Sequence, residues 1–426
     1  AGGSCFSVCT VLDAGPIRSD PELVRAGLAW RRADGLLPAV LELDARRREL
    51  LPQREALAAR QNAASKAIGA AVQAGEDPSA TKQEVAEVKT RAQELDRELA
   101  EVERRWQTAL AALPNLPEQD APLEDTVLRE VGEAATPADA RDHVELAGGL
   151  IDTESAARVS GSRFAYLKGD LVMLELALVG FAMGLVRDHG FEPVIPPVLV
   201  REPALYGTGM LPDTEQQLYR LADDELYLVG TSEVPLASLH AGETLDQTAL
   251  PLRYAGFSPC FRREAGAAGR DQQGIFRVHQ FDKVEMFCFV EPQSAREEHQ
   301  RLLAIEEEIL AALAIPYRVV DIAAHDLGAS AARKFDCEAW LPGQGRYREL
   351  TSCSNTTDFQ ARRLDIRARP PGGKLHHVHT LNGTAVAVGR TIIALLENGQ
   401  RADGSVGFPE ALVAHGAPAE INAAAG

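Results

Sequence analysis

Residues 260–287 read CFRREAGAAGRDQQGIFRVHQFDKVEMF, and their arrangement decides the fold of most of the chain. A β-branched and aromatic run from Tyr254 to Arg263 and another from Phe276 to Phe289 flank a loop of Gly, Ala, Asp and Gln. Two such runs around a glycine-containing loop read as paired strands. Arg262, Arg263, Arg270 and Arg277 bring cations towards that loop, and Glu264 and Glu285 stand on the pairing strands. Guanidinium groups bind phosphate oxygens bidentately and stay charged, so a hairpin carrying them suits a polyphosphate.

Working outward, further short strand patterns fall at 192–200, 226–230, 317–322, 346–353 and 380–386, with apolar helix patterns at 165–189, 295–313 and 386–398. Many strands follow one another without a crossover helix. That favours a largely antiparallel sheet with helices packed around it, an α+β domain over 125–414. Three polar clusters lie within it. Thr231-Ser232-Glu233 follows the strand Tyr227 to Val229. Glu349-Leu350-Thr351-Ser352-Cys353-Ser354-Asn355 sets a carboxylate among hydroxyl and amide groups. Asn382-Gly383-Thr384 leads to Gly389-Arg390 at the start of an apolar helix, where the backbone N–H groups favour anions. There is no Walker loop, GxGxxG, HExxH or GxSxG. His279 and the run His376, His377 and His379 read as loop and strand residues, because no Cys or carboxylate completes a metal set.

Residues 36–113 differ in kind. They are rich in Ala, Leu, Glu, Arg and Gln, with Trp106 the one aromatic residue. Val85, Val88, Ala92, Leu95, Leu99, Val102, Trp106, Ala109 and Leu113 step by three or four. Leu43, Leu50, Leu57, Ala64 and Ala71 step by seven. Both are seams of a coiled coil. Gly75 to Ser79 is a turn signal, so the segment predicts an antiparallel helical hairpin about 50 Å long. Pro52 should kink or break the first helix, and a short helix should precede the hairpin over 20–32. The expected organisation is a helical arm over 11–114, a Pro-rich linker over 115–124 and the α+β domain over 125–414.

Composition sets bounds on this. The 426 residues are 45% apolar and 25% charged, which excludes a disordered chain and calls for two or three domains. Net charge is −18, so nucleic acid could bind only through a local basic stripe. Residues 36–113 hold 12 Lys and Arg against 13 Asp and Glu, making the arm far less acidic than the rest. Six cysteines with no CxxC pair fit a reducing cytoplasm. No secretory signal is visible, and the apolar stretch 171–186, interrupted by Glu175, is short for a membrane span. Residues 1–10 match neither region.

Taken together, these motifs resemble the bacterial type of seryl-tRNA synthetase, a class II aminoacyl-tRNA synthetase. HGFEPVIPPVLV (189–200) resembles class II motif 1, FRREAGAAGRDQQGIFRVHQFDKVEMF motif 2, and AVGRTIIALLENGQ (387–400) motif 3. VGTSEVPL, ELTSCSNTTDFQARR and TLNGTAVAVGRT resemble the family's substrate-site segments, and the hairpin its tRNA-binding arm. The resemblance implies ATP-dependent attachment of L-serine to tRNA-Ser through a seryl-adenylate, with Mg²⁺, by a cytoplasmic homodimer. It also implies charging of tRNA-Sec. Carried over residue by residue, Arg262, Glu349 and Arg390 would be catalytic. Arg262 would grip the α-phosphate and Arg390 the γ-phosphate end. Arg263, Leu350 and Thr351 would complete the ATP site, with Glu264 on the adenine amino group and Phe281 stacked on the ring. Glu349 and Ser352 would hold Mg²⁺. Thr231, Ser232 and Glu233 would meet the serine α-amino group, and Glu285, Asn382 and Thr384, with Arg262, the rest of the amino acid. Thr384 stands where many relatives have serine. On the arm, Arg46, Arg47, Arg54, Arg60 and Lys66 would contact tRNA phosphates.

The same sequence suits other readings. A paralogue could supply seryl-tRNA or an activated amino acid to a biosynthetic or resistance pathway. A silent tRNA binder would have lost the ATP residues, yet Arg262, Glu264, Glu349 and Arg390 are all present. A coiled-coil scaffold leaves the α+β domain unexplained.

Overall fold

The structure is a computed structural model that describes residues 14–75, 77–212, 217–265 and 274–422. Arg270, Cys5, Cys9 and the segment 1–10 lie outside the described residues. The chain forms two compact units, one over Thr10–Leu113 and one that takes in everything from Pro114 onward.

The first unit is helical. Two short helices, Ala14–Ser19 and Pro21–Trp30, precede two long ones, Leu37–Ala74 (α1) and Ser79–Ala111 (α2). The Asp20 side chain caps the second short helix, accepting from the Leu23 N–H at 3.0 Å. Gly75 ends α1 in the left-handed conformation, with φ at 73°, which a Cβ would oppose. The seam buries Leu50, Leu95 and Val102, with Leu57 and Leu99 packed beside them. Contrary to the expectation, α1 runs unbroken through Pro52. Pro52 is exposed, so water can reach the carbonyl that the missing N–H leaves unbonded.

The second unit is built on an eight-stranded sheet. Its strands are Thr126–Val131 (β1), Glu192–Val194 (β2), Leu252–Phe261 (β3), Gln280–Val290 (β4), Tyr317–Asp321 (β5), Arg333–Leu341 (β6), Arg346–Thr357 (β7) and His379–Ala387 (β8). Their order across the sheet is β1-β5-β6-β7-β8-β4-β3-β2. Every neighbouring pair is antiparallel except the edge strand β2, which runs parallel to β3. Asp170–Asp188 (α3), Ala295–Ala312 (α4) and Val388–Asn398 (α5) supply Leu174, Leu302 and Ile392 to the principal core.

Strand β4 positions the site. Val284, Met286, Cys288 and Val290 enter the principal core, whereas Phe287 and Phe289 enter a second cluster with Leu236 and Ile366. This period of two puts Phe281, Lys283 and Glu285 on the same side of the strand. Two strands of the large sheet went unread in the sequence. β6 alternates Lys334, Asp336 and Glu338 with Phe335, Cys337 and Ala339, and β1 is exposed at every position. The expected strand over 192–200 is two strands in different sheets. β2 joins the large sheet, and Leu199–Arg201 pairs with Leu226–Leu228 in a three-stranded sheet. Pro196 and Pro197 lie between them and offer no N–H to either ladder.

Candidate active site

The centre of the sheet walls a cavity of about 340 Å³. Arg262 and Glu264 just after β3, strand β4, the middle of β7, the end of β8 and the start of α5 all contribute to it. Its polar residues fall into two groups, with Arg262 between them.

The first group is a buried hydrogen-bonded cluster. Thr231 and Glu233 sit at the start of the short helix Glu233–Ala237, and the Glu233 N–H donates to Thr231 Oγ1 at 3.2 Å. Lys283 Nζ donates to the same Thr231 Oγ1 at 2.7 Å and forms an ion pair with Glu285. Thr384 Oγ1 lies 3.5 Å from Glu285 Oε2. Gln360 Nε2 and Asn382 Nδ2 both donate to Glu233 Oε1, at 2.7 and 3.1 Å. Burial pushes the Glu233 carboxyl up to about 7, helped by the nearby Glu285 charge. Burial also raises Glu285, while the Lys283 ammonium pulls it back.

The second group is cationic and more open. Arg390 Nη1 donates to the Glu349 carbonyl at 3.2 Å and lies 3.4 Å from Glu349 Oε1. The Phe276 ring lies under two guanidiniums, with Arg348 3.6 Å and Arg390 4.8 Å from its centroid. Burial alone would raise Glu349, but Lys334, Arg390 and Arg262 together hold it below the usual carboxylate range. It is therefore an anion at neutral pH. Arg277 Nη1 donates to Glu264 Oε2 at 2.7 Å. Glu264 itself has φ at 49°, a strained backbone of the kind that persists where surroundings hold a side chain in place. Between the groups, Arg262 Nε donates to the Gly230 carbonyl at 3.2 Å and its guanidinium lies 5.3 Å from the Phe281 ring.

Comparison with known proteins agrees with both units. Residues 11–117 match the seryl-tRNA synthetase N-terminal domain, and residues 217–399 match the tRNA synthetase class II core domain (G, H, P, S and T). The chain is 52% identical over 412 residues to the serine--tRNA ligase of Acidothermus cellulolyticus, covering 94% of this chain and 97% of that protein. It is 49% identical over 413 residues to the enzyme of the same name from Streptomyces coelicolor, with 94% and 96% covered. The chain belongs to the seryl-tRNA synthetase family. The crystal structure of seryl-tRNA synthetase from Pyrococcus horikoshii complexed with ATP superposes with a TM-score of 0.89 at 40% identity, covering 96% of this chain and 99% of that one. This family member is thus a class II aminoacyl-tRNA synthetase.

Of the residues singled out in the sequence, Arg262, Glu264, Phe281, Glu349, Leu350, Thr351, Ser352 and Arg390 line the cavity, as do Thr231, Glu233, Glu285, Asn382 and Thr384. Two are not brought to its wall. Ser232 is fully buried behind it, 3.5 Å from the Gly256 carbonyl, at a place where a Cβ on residue 256 would come within 3.2 Å of its Oγ. Arg263 is exposed at the rim, its N–H donating to the Gln217 carbonyl at 2.9 Å. The sequence reading missed Lys283, Lys334, Gln360 and Phe276. The signal for Lys283 was present, because it alternates with Phe281 and Glu285 on β4. Gln360 lies on a separate short helix, and only the tertiary fold brings it to Glu233.

On the arm, the structure gives the four named arginines partners. Arg46 pairs with Glu98 and Glu49, Arg47 with Glu103, Arg54 with Asp96 and Arg60 with Glu84, so each binds a carboxylate of α2. Lys66 is exposed. Among the described residues, no helix is long and apolar enough to cross a membrane.

Proposed function

We propose that the chain attaches L-serine to tRNA-Ser in two steps through a seryl-adenylate. The observation that carries this is the single cavity in which buried carboxylates, Glu233 and Glu285, and the cations Arg262 and Arg390 face a common space. The carboxylates suit an amino acid's ammonium and hydroxyl, and the cations suit a triphosphate.

In the first step a serine carboxylate oxygen attacks the α-phosphorus of ATP. A C–O–P bond forms, the bond to pyrophosphate breaks, and pyrophosphate leaves with the charge. Such a displacement needs neutralised charge and alignment more than proton transfer. Arg262 steadies the α-phosphate and the serine carboxylate, and Arg390 the γ-phosphate end. Glu264 reads the adenine amino group and Phe281 stacks on the ring. Leu350 and Thr351 border the nucleotide, and Arg263 reaches it only from the exposed chain outside the cavity wall. Glu233 receives the α-ammonium, Glu285 the hydroxyl, and Asn382 and Thr384 close the pocket. In the second step a hydroxyl of the terminal tRNA ribose attacks the acyl carbon and AMP leaves.

Glu349 and Ser352 fit Mg²⁺ brought in with ATP. They are hard oxygen donors, Glu349 is an anion, and Mg²⁺ commonly keeps waters and phosphate oxygens around one or two protein ligands. When bound, it neutralises phosphate charge.

The arm over 11–114 serves as the tRNA-binding domain, and 125–414 as the catalytic domain. Arg46, Arg47, Arg54 and Arg60 brace the hairpin through exposed pairs that a phosphate can displace, and cations with no such pair add to their phosphate contacts. Lys66 is one. Lys82, Lys89 and Arg97 are others: they step by seven and eight along α2 with Ala86 and Gln93 between them, are exposed, and form no ion pair among the described residues. That spacing keeps them on one helix face. Contacts of this kind read RNA shape, and their binding weakens steeply with salt. The same surface would accept tRNA-Sec. Exposed Val172, Met173 and Leu176 on α3, with Ile195 and Leu199 nearby in sequence, support a homodimer through this apolar surface.

Charging of tRNA-Ser with labelled serine, followed over 50–300 mM salt, tests the reading. A serine-specific product whose tRNA KM climbs with salt supports it. A folded protein that binds tRNA but charges nothing favours the silent binder.

A further inference from the structure

We infer that Lys283 sets the direction of the hydrogen bonds in the amino-acid pocket, and so makes that pocket complementary to a hydroxyl. The inference rests on the serine reading above and adds a positioning residue to it.

A threonine hydroxyl has two acceptor positions and one proton. Thr231 Oγ1 accepts from Lys283 Nζ at 2.7 Å and from the Glu233 N–H at 3.2 Å. An ammonium has only donors, so the direction of the first bond is fixed. Both acceptor positions of Thr231 are thereby used. Among the described residues no acceptor takes its proton, and Thr231 lines the cavity. Thr231 therefore presents a donor to a ligand. Its hydroxyl oxygen has no acceptor position left for a substrate ammonium, so any contact with that group falls to the Thr231 carbonyl.

The same ammonium pairs with Glu285, which accepts only. Lys283 and Glu285 are both buried, with 8% and 2% of their side chains exposed, so each is the other's principal counter-charge in a dry site. A donor (Thr231 O–H) and an acceptor (Glu285) thus flank one Nζ. A ligand hydroxyl satisfies both at once, donating to Glu285 and accepting from Thr231. Alanine satisfies neither and leaves both buried and unpaired, which is how a polar site rejects an analogue that lacks one group. Without Lys283, Thr231 could turn its proton inward, and burial would push the Glu285 carboxyl further up, towards its protonated form. The groups that face this cluster are Glu233, Arg262, Thr384, the buried Glu306 and the buried Cys260.

The test is serine-dependent ATP–pyrophosphate exchange by the full-length protein and its Lys283→Met and Thr231→Val variants over pH 6.5–9, with serine and alanine as substrates. For Lys283→Met the expected result is a fall in kcat/KM for serine of a hundredfold or more at pH 7. KM for ATP should stay within threefold, and much of the loss should be recovered towards pH 9 as Glu285 ionises. Thr231→Val should lose serine-over-alanine discrimination tenfold or more without moving the pH profile. A Lys283→Met protein with wild-type serine kinetics overturns the inference. So does one whose loss falls equally on serine and ATP and is the same at every pH, which is the signature of a merely structural lysine. The Thr231→Val arm decides the case if Lys283→Met does not fold, because unchanged discrimination there also overturns it. Failure of the wild-type protein to activate serine would instead sink the underlying reading.

Discussion

The two units of this chain use charge in opposite ways. Along the arm's seam, Asp44 with its Arg18 partner apart, charged side chains stand outside a narrow apolar stripe, and ion pairs such as Arg46–Glu98 and Arg60–Glu84 tie one helix to the other in contact with water. In the catalytic unit, charged groups are drawn inside. Glu285 and Lys283 are almost wholly buried, and the Glu233 carboxyl is pushed up to about 7. Exposed pairs are screened and cost little to break. Buried ones are costly to leave half-made. The arm can therefore change its surface charge at little cost in stability, while the sheet centre cannot change one residue without a chemical consequence.

The sharpest way to test that contrast is Arg262→Ala. Loss of a cation aimed at developing phosphate charge should lower serine activation on the order of a thousandfold. Binding of tRNA to the arm should be unchanged, as a filter-binding titration would show. Next in size is Leu95→Ala in the seam, where truncation of a buried leucine should cost about 2–5 kcal/mol of arm stability. Hydrogen exchange along α1 and α2 would show the loss, with pyrophosphate exchange unaltered. Reversing the charge of Lys82, Lys89 and Arg97 together to Glu should weaken tRNA-Ser binding by about ten- to a hundredfold. It should also flatten the slope of log affinity against log salt by about 2.

The pH dependence of the serine KM probes the inside of the sheet more gently. Glu233 has a raised pKa, so it takes a proton as pH falls through about 7 and then no longer attracts an ammonium. The serine KM should accordingly rise below pH 7, by up to about tenfold per unit, and level off above it. A steady-state series from pH 6 to 8.5 would show this, and a flat profile would place Glu233 outside the serine site. The smallest effect belongs to Arg60→Ala. Its Glu84 partner is exposed, and the melting midpoint of the arm should stay within replicate scatter.

Much of this organisation was legible in the sequence, for identifiable reasons. A seam repeated every seven residues with a Gly-Glu-Asp-Pro turn between its halves has one simple solution, and the hairpin follows. Strands read well where they are apolar on both faces, as in β4, and poorly where polar residues alternate, as in β6. The site residues that were read lie on motifs whose local spacing is itself informative. Lys283 and Gln360 were passed over because their partners, Thr231 and Glu233, come from a different part of the chain, and only the fold brings them within bonding distance. The ion partners of the arm arginines were hidden for a related reason. A row of cations on one helix says nothing of the carboxylates that the other helix sets against them.

The most direct test of the whole account is ATP–pyrophosphate exchange with the purified protein, over all twenty amino acids, in the absence of tRNA. The expected result is exchange with serine, at least a hundredfold weaker exchange with alanine and threonine, and background with the rest. Exchange with no amino acid, from a folded sample that still binds tRNA, would contradict it.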